Sequence, residues 1–221
     1  MKKLPTLLLL PLAALAMTAC DSDPMRLQAC AQGAAYFNAK QYDVALPLLT
    51  EAADVGNADA QLLLAKCYDF GYGVKSDMPK AIALYTAAAN AGNANALDNL
   101  GTCYATGAGV PKNLQKAFQL YSQAAAQNDP SALNNLGLCY RNGEGVAENA
   151  AKAAQCFRQA AQLGNADGQY NLGRCYFHGL GVPTDLNQAR DWVEKAAAQG
   201  HKNAIGFMED NDWVPLPPLQ G

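Results

Sequence analysis

Seven cysteines and two histidines are the most reactive side chains of this 221-residue chain, and four of the cysteines stand in register. Cys67, Cys103, Cys139 and Cys175 are each 36 residues apart, and each directly precedes a tyrosine: Tyr68, Tyr104, Tyr140 and Tyr176. Disulfide formation, metal binding and nucleophilic catalysis are the chemistries to weigh. Equivalent positions of neighbouring helical units lie a helix-packing distance apart, about 8–10 Å, whereas a disulfide needs Cα atoms within about 7 Å. The ladder cysteines are therefore not expected to bond to one another, and a small buried apolar side chain is their expected role. Cys139 with Cys156, on the two helices of one unit, is the best disulfide candidate, and the sequence leaves the state of Cys30 open. A structural metal site takes four converging ligands; Cys175-x-x-His178 is an isolated pair, so no metal site is expected. The Gly-x-Gly pairs at Gly71/Gly73, Gly107/Gly109, Gly143/Gly145 and Gly179/Gly181 do not suit a phosphate loop, which follows a strand and opens a helix. Chain reversal at positive φ explains them. With no Ser-x-x-Lys or Lys-Thr-Gly stretch, no catalytic residue and no cofactor are expected.

The elements that carry these residues repeat without a slip. Four units, 57–92, 93–128, 129–164 and 165–200, each contain one helix, a Gly-rich loop and a second helix. Asn57, Asn93, Asp129 and Asn165 are N-cap candidates for the first helices, and Asp77, Asn113, Asn149 and Asp185 for the second. Gly92, Asn128, Gly164 and Gly200 close the units on residues that tolerate left-handed backbone. Residues 24–56 form a degenerate hairpin with a shorter loop, and Pro47 in its second helix predicts a kink or a later helix start. Residues 201–212 read as a capping helix, with Ile205, Phe207 and Met208 covering the last apolar face. Residues 213–221 are a Pro-rich tail, expected to lie extended along the end of the stack.

The run A-x-x-N-L-G-x-x-Y-x-x-G-x-G-V-x-x-[DN]-x-x-x-A, closing on Ala-Ala, resembles the Sel-one-like repeat of the tetratricopeptide superfamily. The resemblance covers residues 57–200. Leu63-Leu64-Ala65 replaces Asn-Leu-Gly in the first unit, and Gly168 replaces the leading Ala in the last. It implies an all-α, right-handed α-solenoid of antiparallel helix pairs whose first helices line a concave face. In cysteine-rich members of the family the disulfide-forming cysteines stand elsewhere in the repeat, so their cross-links do not transfer. The β-lactam-related activity claimed for some of those relatives has no visible nucleophile here.

The first-helix surface is where binding is expected. With Leu100 as reference, Ala96, Leu97, Cys103 and Tyr104 fall within about 60° and form the buried stripe. Asn95, Asp98, Thr102, Ala105 and Thr106 fall opposite. Their counterparts are Lys66, Asp69 and Phe70 in the first unit, Asn134, Arg141 and Asn142 in the third, and Tyr170, Arg174, Phe177 and His178 in the last. Exposed aromatics beside Arg have the composition of a binding hot spot. Asn99, Asn135 and Asn171 flank the buried stripe. In peptide-binding tetratricopeptide clamps an Asn on this helix holds the ligand backbone, but satisfying neighbouring backbone is the favoured role here.

The first nineteen residues read as a signal peptide, with Lys2 and Lys3 before an apolar Leu4–Ala16. Met17-Thr18-Ala19-Cys20 resembles a lipobox, which makes Cys20 the lipidation site and residues 20–23 a tether; cleavage after Ala16 is the alternative. Acylation would anchor the protein to a bacterial membrane on its periplasmic face, and Asp21 resembles an inner-membrane retention signal. A soluble periplasmic or secreted protein is the other outcome. Formal net charge is −3, and about −5 without Lys2 and Lys3, which gives no basic footprint for nucleic acid. The expected function is a non-catalytic scaffold binding a protein or peptide of the cell envelope. An envelope enzyme and a purely structural spacer are the alternatives.

Overall fold

The computed structural model describes residues 24–213, and every regular element among them is helical. The signal peptide, Cys20 with its tether, and residues 214–221 of the tail lie outside the described residues. The chain divides into two compact units, one ending at Ala91 and one beginning at Gly92.

The first unit contains α1 (Pro24–Asn38), α2 (Tyr42–Asp54), α3 (Ala58–Phe70) and α4 (Met78–Asn90). Pro47 sits inside α2, which is continuous from Tyr42. Ala45, Leu49, Ala52, Ala60, Leu64 and Cys67 form its core. Tyr42 stacks on Tyr72 at 4.8 Å, and Phe37 meets both rings edge-on.

The second unit contains α5 (Ala94–Thr106), α6 (Leu114–Ala125), α7 (Pro130–Asn142), α8 (Ala150–Gln162), α9 (Ala166–His178), α10 (Leu186–Ala198) and α11 (Lys202–Asp210). Its sequence punctuation works as the residue types require. The Asn93, Asp129 and Asn165 side chains accept from the amides of Ala96, Ala132 and Gly168 at 2.7–2.9 Å, satisfying one of the orphan donors of each helix start. His201 caps α11 with Nδ1 on the Ala204 amide, a residue type outside the usual set. In each loop the amide of the second helix's cap returns to the tyrosine carbonyl: Asn113 to Tyr104, Asn149 to Tyr140, and Asp185 to Tyr176.

The second glycine of the loop is needed twice over. Gly145 and Gly181 have φ of 73° and 72°. A Cβ would also overlap the backbone carbonyl of Leu114 at one site and of Ala150 at the other. The loop of one repeat thus touches the start of the preceding repeat's second helix. Within a repeat, Gly101, Gly137 and Gly173 let the second helix approach closely. An added Cβ would meet the Tyr121 ring, the Phe157 ring and Val193 at 2.6–2.7 Å.

Tyr121, Phe157 and Val193 are themselves 36 apart, are at most 5% exposed and fill the centre of each pair. Met208 is buried under α11, while Ile205 is 40% exposed, so α11 covers the apolar end with Met208 and Phe207 and turns Ile205 outward.

Candidate functional site: the first-helix face of the second unit

The expected buried stripe of α5 is present: Ala96, Leu97, Leu100 and Cys103 are each at most 5% exposed, with Tyr104 half-buried. All six described cysteines are free thiols, so Cys139 and Cys156 do not form a disulfide. Burial pushes Cys67, Cys139, Cys156 and Cys175 up to about 11. A thiol so held is protonated and unreactive at neutral pH. Among the described residues no cluster of three or more His, Cys, Asp or Glu could hold a metal ion, and no helix is long and apolar enough to cross a membrane.

The three register asparagines diverge. Asn99 donates only to the Asn95 carbonyl of its own helix, at 2.6 Å. Asn135 donates to the Asp98 carboxylate at 2.9 Å, and Asn171 to Asn134 Oδ1 at 2.9 Å. Both bonds span 37 residues and join successive first helices. The same step from Tyr170 reaches Phe207, and there the rung is aromatic, with ring centroids 6.1 Å apart. The partners are side chains rather than the backbone groups expected from sequence. Asn134, placed by helical phase on the open face, is 6% exposed because Asn171 covers it. Gln169, also 6% exposed, was not singled out; it bonds the Ala161 carbonyl and accepts from Gln199.

Tyr170 and Phe177 of α9 are half-buried. Tyr170 lies 4.8 Å from the His201 ring, and Phe177 meets Phe207 and Trp213 edge-on at 5.1 and 5.6 Å. Trp213 is the residue 36 beyond Phe177, so the start of the tail completes the repeat pattern and covers the Phe177 ring. Beside Tyr170 a shallow depression of about 280 Å³ is lined by Lys202, Asn203, Gly206, Phe207 and Asp210.

Arg141 and Arg174 stand on the same face. Arg141 donates through Nη1 to Asn171 Oδ1 and through Nε to Asn142 Oδ1, both at 3.1 Å, with its guanidinium 5.9 Å from the Phe157 ring centre. Arg174 lies 5.8 Å from the Tyr170 ring centre. Burial of the guanidinium, and then the charge of Arg174, lower the Arg141 pKa.

The Sel1 repeat pattern matches residues 58–93, 94–129, 130–165 and 166–201. The chain belongs to the Sel1 repeat family. It is similar to the Sel1 repeat protein of Oxalobacter formigenes, with 30% identity over 86% of this chain and 79% of that one and a TM-score of 0.75. It also resembles c5321, a protective antigen of uropathogenic Escherichia coli, with 31% identity and a TM-score of 0.71 over 86% of this chain. This chain spans only 42% of the length of that antigen. A Sel1 repeat protein of Klebsiella pneumoniae shares the fold at 22% identity and a TM-score of 0.59, over 88% of this chain and 95% of that one. No curated protein matches the chain. Sel1 repeat proteins in general are protein-interaction scaffolds.

Proposed function

We propose that this Sel1 repeat chain is a non-catalytic adaptor of the bacterial cell envelope, tethered through an acylated Cys20, which captures an extended peptide segment of a partner protein. The capture surface is the first-helix face of α7 and α9 with the edge of α11. One observation carries the reading: the depression beside Tyr170 opens between an aromatic ring and the polar edge of α11, and Arg174 lies over that same ring. An aromatic wall with convergent polar groups is the usual make-up of a peptide anchor site. Asn135 and Asn171 hold the repeats in register, Tyr170 and Arg174 supply the contact, and Phe177 keeps α11 seated. Asn99 has a half-buried amide whose only bond among the described residues is local, so it can turn toward a ligand backbone at small cost.

The envelope assignment rests on the sequence pattern of Lys2-Lys3, the apolar run and Met17–Cys20. Fluorescence anisotropy with labelled decapeptide pools tests the binding reading. Affinity should fall at least tenfold in Tyr170→Ala plus Arg174→Ala, and unchanged affinity in that variant would rule this face out.

A further inference from the structure

Arg141 and Arg174 are half-buried cations of adjacent repeats whose charges act on each other. Lys80, Arg190 and His201 each have a carboxylate within 3.4 Å. Lys116 donates to the Tyr104 hydroxyl, and Arg158 to that of Tyr176. Arg141 and Arg174 are half-buried, yet among the described residues no carboxylate lies within ion-pairing distance of either.

Among the described residues, Arg141 spends two donors on neutral amide oxygens and has Nη2 left over, whereas Arg174 makes only its contact with the Tyr170 ring. The neighbouring repeats show what is unusual. In the first repeat the residue equivalent to Arg141 is Asp69, which accepts from the Tyr85 hydroxyl at 3.0 Å. In the third repeat the tyrosine position is Phe157, so Arg141 lies over a ring that offers no acceptor.

Half-burying two like charges with no carboxylate in contact is unfavourable, and the more distant Glu144 charge offsets this only in part at Arg141. An anion seated between them relieves both desolvation and mutual repulsion. A planar guanidinium with free N–H groups suits a carboxylate in bidentate geometry.

We propose that Arg141 and Arg174 form a carboxylate site that takes an Asp or Glu side chain of the captured segment, with Asn171 holding Arg141 in place and the Tyr170 ring backing Arg174. The partner segment is therefore acidic, and the chain reads it one anchor at a time: a carboxylate on the arginines and an apolar or aromatic residue in the depression lined by Phe207. This inference rests on the peptide-binding reading above, and the experiment separates the two.

The probes are two immobilised degenerate decapeptide pools that differ only in a fixed central Glu or Gln, with a central-Lys pool as control. Full-length protein should be retained about tenfold better by the Glu pool. Arg174→Glu, at a side chain that makes no hydrogen bond among the described residues, should lose that preference and move toward the Lys pool. Arg141→Lys plus Arg174→Lys should keep part of it; circular dichroism establishes that each variant is folded. Equal retention on the Glu and Gln pools, still sensitive to Tyr170→Ala, would overturn the carboxylate site and leave peptide binding standing. Retention on none of the pools would overturn both. Retention blocked by inorganic phosphate but indifferent to Glu against Gln would assign the arginines to a phosphate group and also overturn the proposal.

Discussion

Asn171 and Asn99 stand two repeats apart at the same register, yet truncating them should cost very different amounts. Asn171 joins Asn134 to Arg141 and is 9% exposed. Asn171→Ala would leave a buried amide oxygen and a guanidinium unsatisfied, a loss of about 1–3 kcal/mol. Asn99→Ala removes one local bond and should stay within about 0.5 kcal/mol. Chemical denaturation of the two variants checks the contrast.

The sequence presents these asparagines as equivalent because their spacing is equal. What separates them is the residue 37 positions earlier, and that step becomes visible only once successive first helices lie side by side. The second-helix series Tyr121, Phe157 and Val193 keeps the 36-residue period but changes residue type, so its regularity is easily overlooked. The cysteines were easier to read, since a buried place before each tyrosine follows from helical phase alone. Their thiols also carry a pH prediction. The folded state holds the protons of Cys67, Cys139, Cys156 and Cys175 more tightly than the unfolded chain does. This contribution is therefore complete below about pH 8.5 and is lost as pH rises toward about 11. The melting temperature should fall across that window. At pH 8 a thiol reagent should label half-buried Cys30 before Cys67, Cys139, Cys156 and Cys175, whose thiolate fraction is only about one in a thousand.

At the scale of elements, the loops act together with the helix-to-helix asparagine bonds in fixing the spacing between repeats. Gly145→Ala or Gly181→Ala forces a side chain into left-handed backbone, which costs about 1–3 kcal/mol, and also into a neighbouring helix start. Either variant should lower the melting temperature by several degrees or more. Gly164→Ala, at φ 86° with nothing within 4 Å, should incur the backbone term alone. Helix starts and stops were readable in advance because Asn, Asp and Gly act through local geometry. The closing helix was readable as an element, but its facing was not. Ile205 looks like core by residue type and points outward, while Trp213 lies beyond the helix yet joins the ring cluster on Phe177. Those choices depend on which surface α11 meets, and that surface combines Val193 and Ala196 of α10 with Tyr170 and Phe177 of α9.

For the molecule as a whole, the stack follows from what the repeats share. The repeat period dictates stacked helix pairs, and the solved Sel1 repeat structures share them at TM-scores of 0.71 and 0.75. The proposed binding function draws on the few positions where the repeats differ: Tyr170, Arg174, Arg141 and the residues of α11 that border them. Membrane attachment is tested separately: Cys20→Ser should abolish incorporation of an alkyne fatty acid and release the protein from the membrane fraction.

The central claim is that the α7–α9 face is where a partner segment is held. A photo-crosslinking residue placed at position 174, and for comparison at exposed Gln155 on the second helix α8, tests it in the native host by mass spectrometry of the adducts. Position 174 should yield a discrete partner peptide rich in Asp or Glu that position 155 does not capture. Equal capture of the same peptides at both positions, or adducts at position 155 alone, would contradict the account.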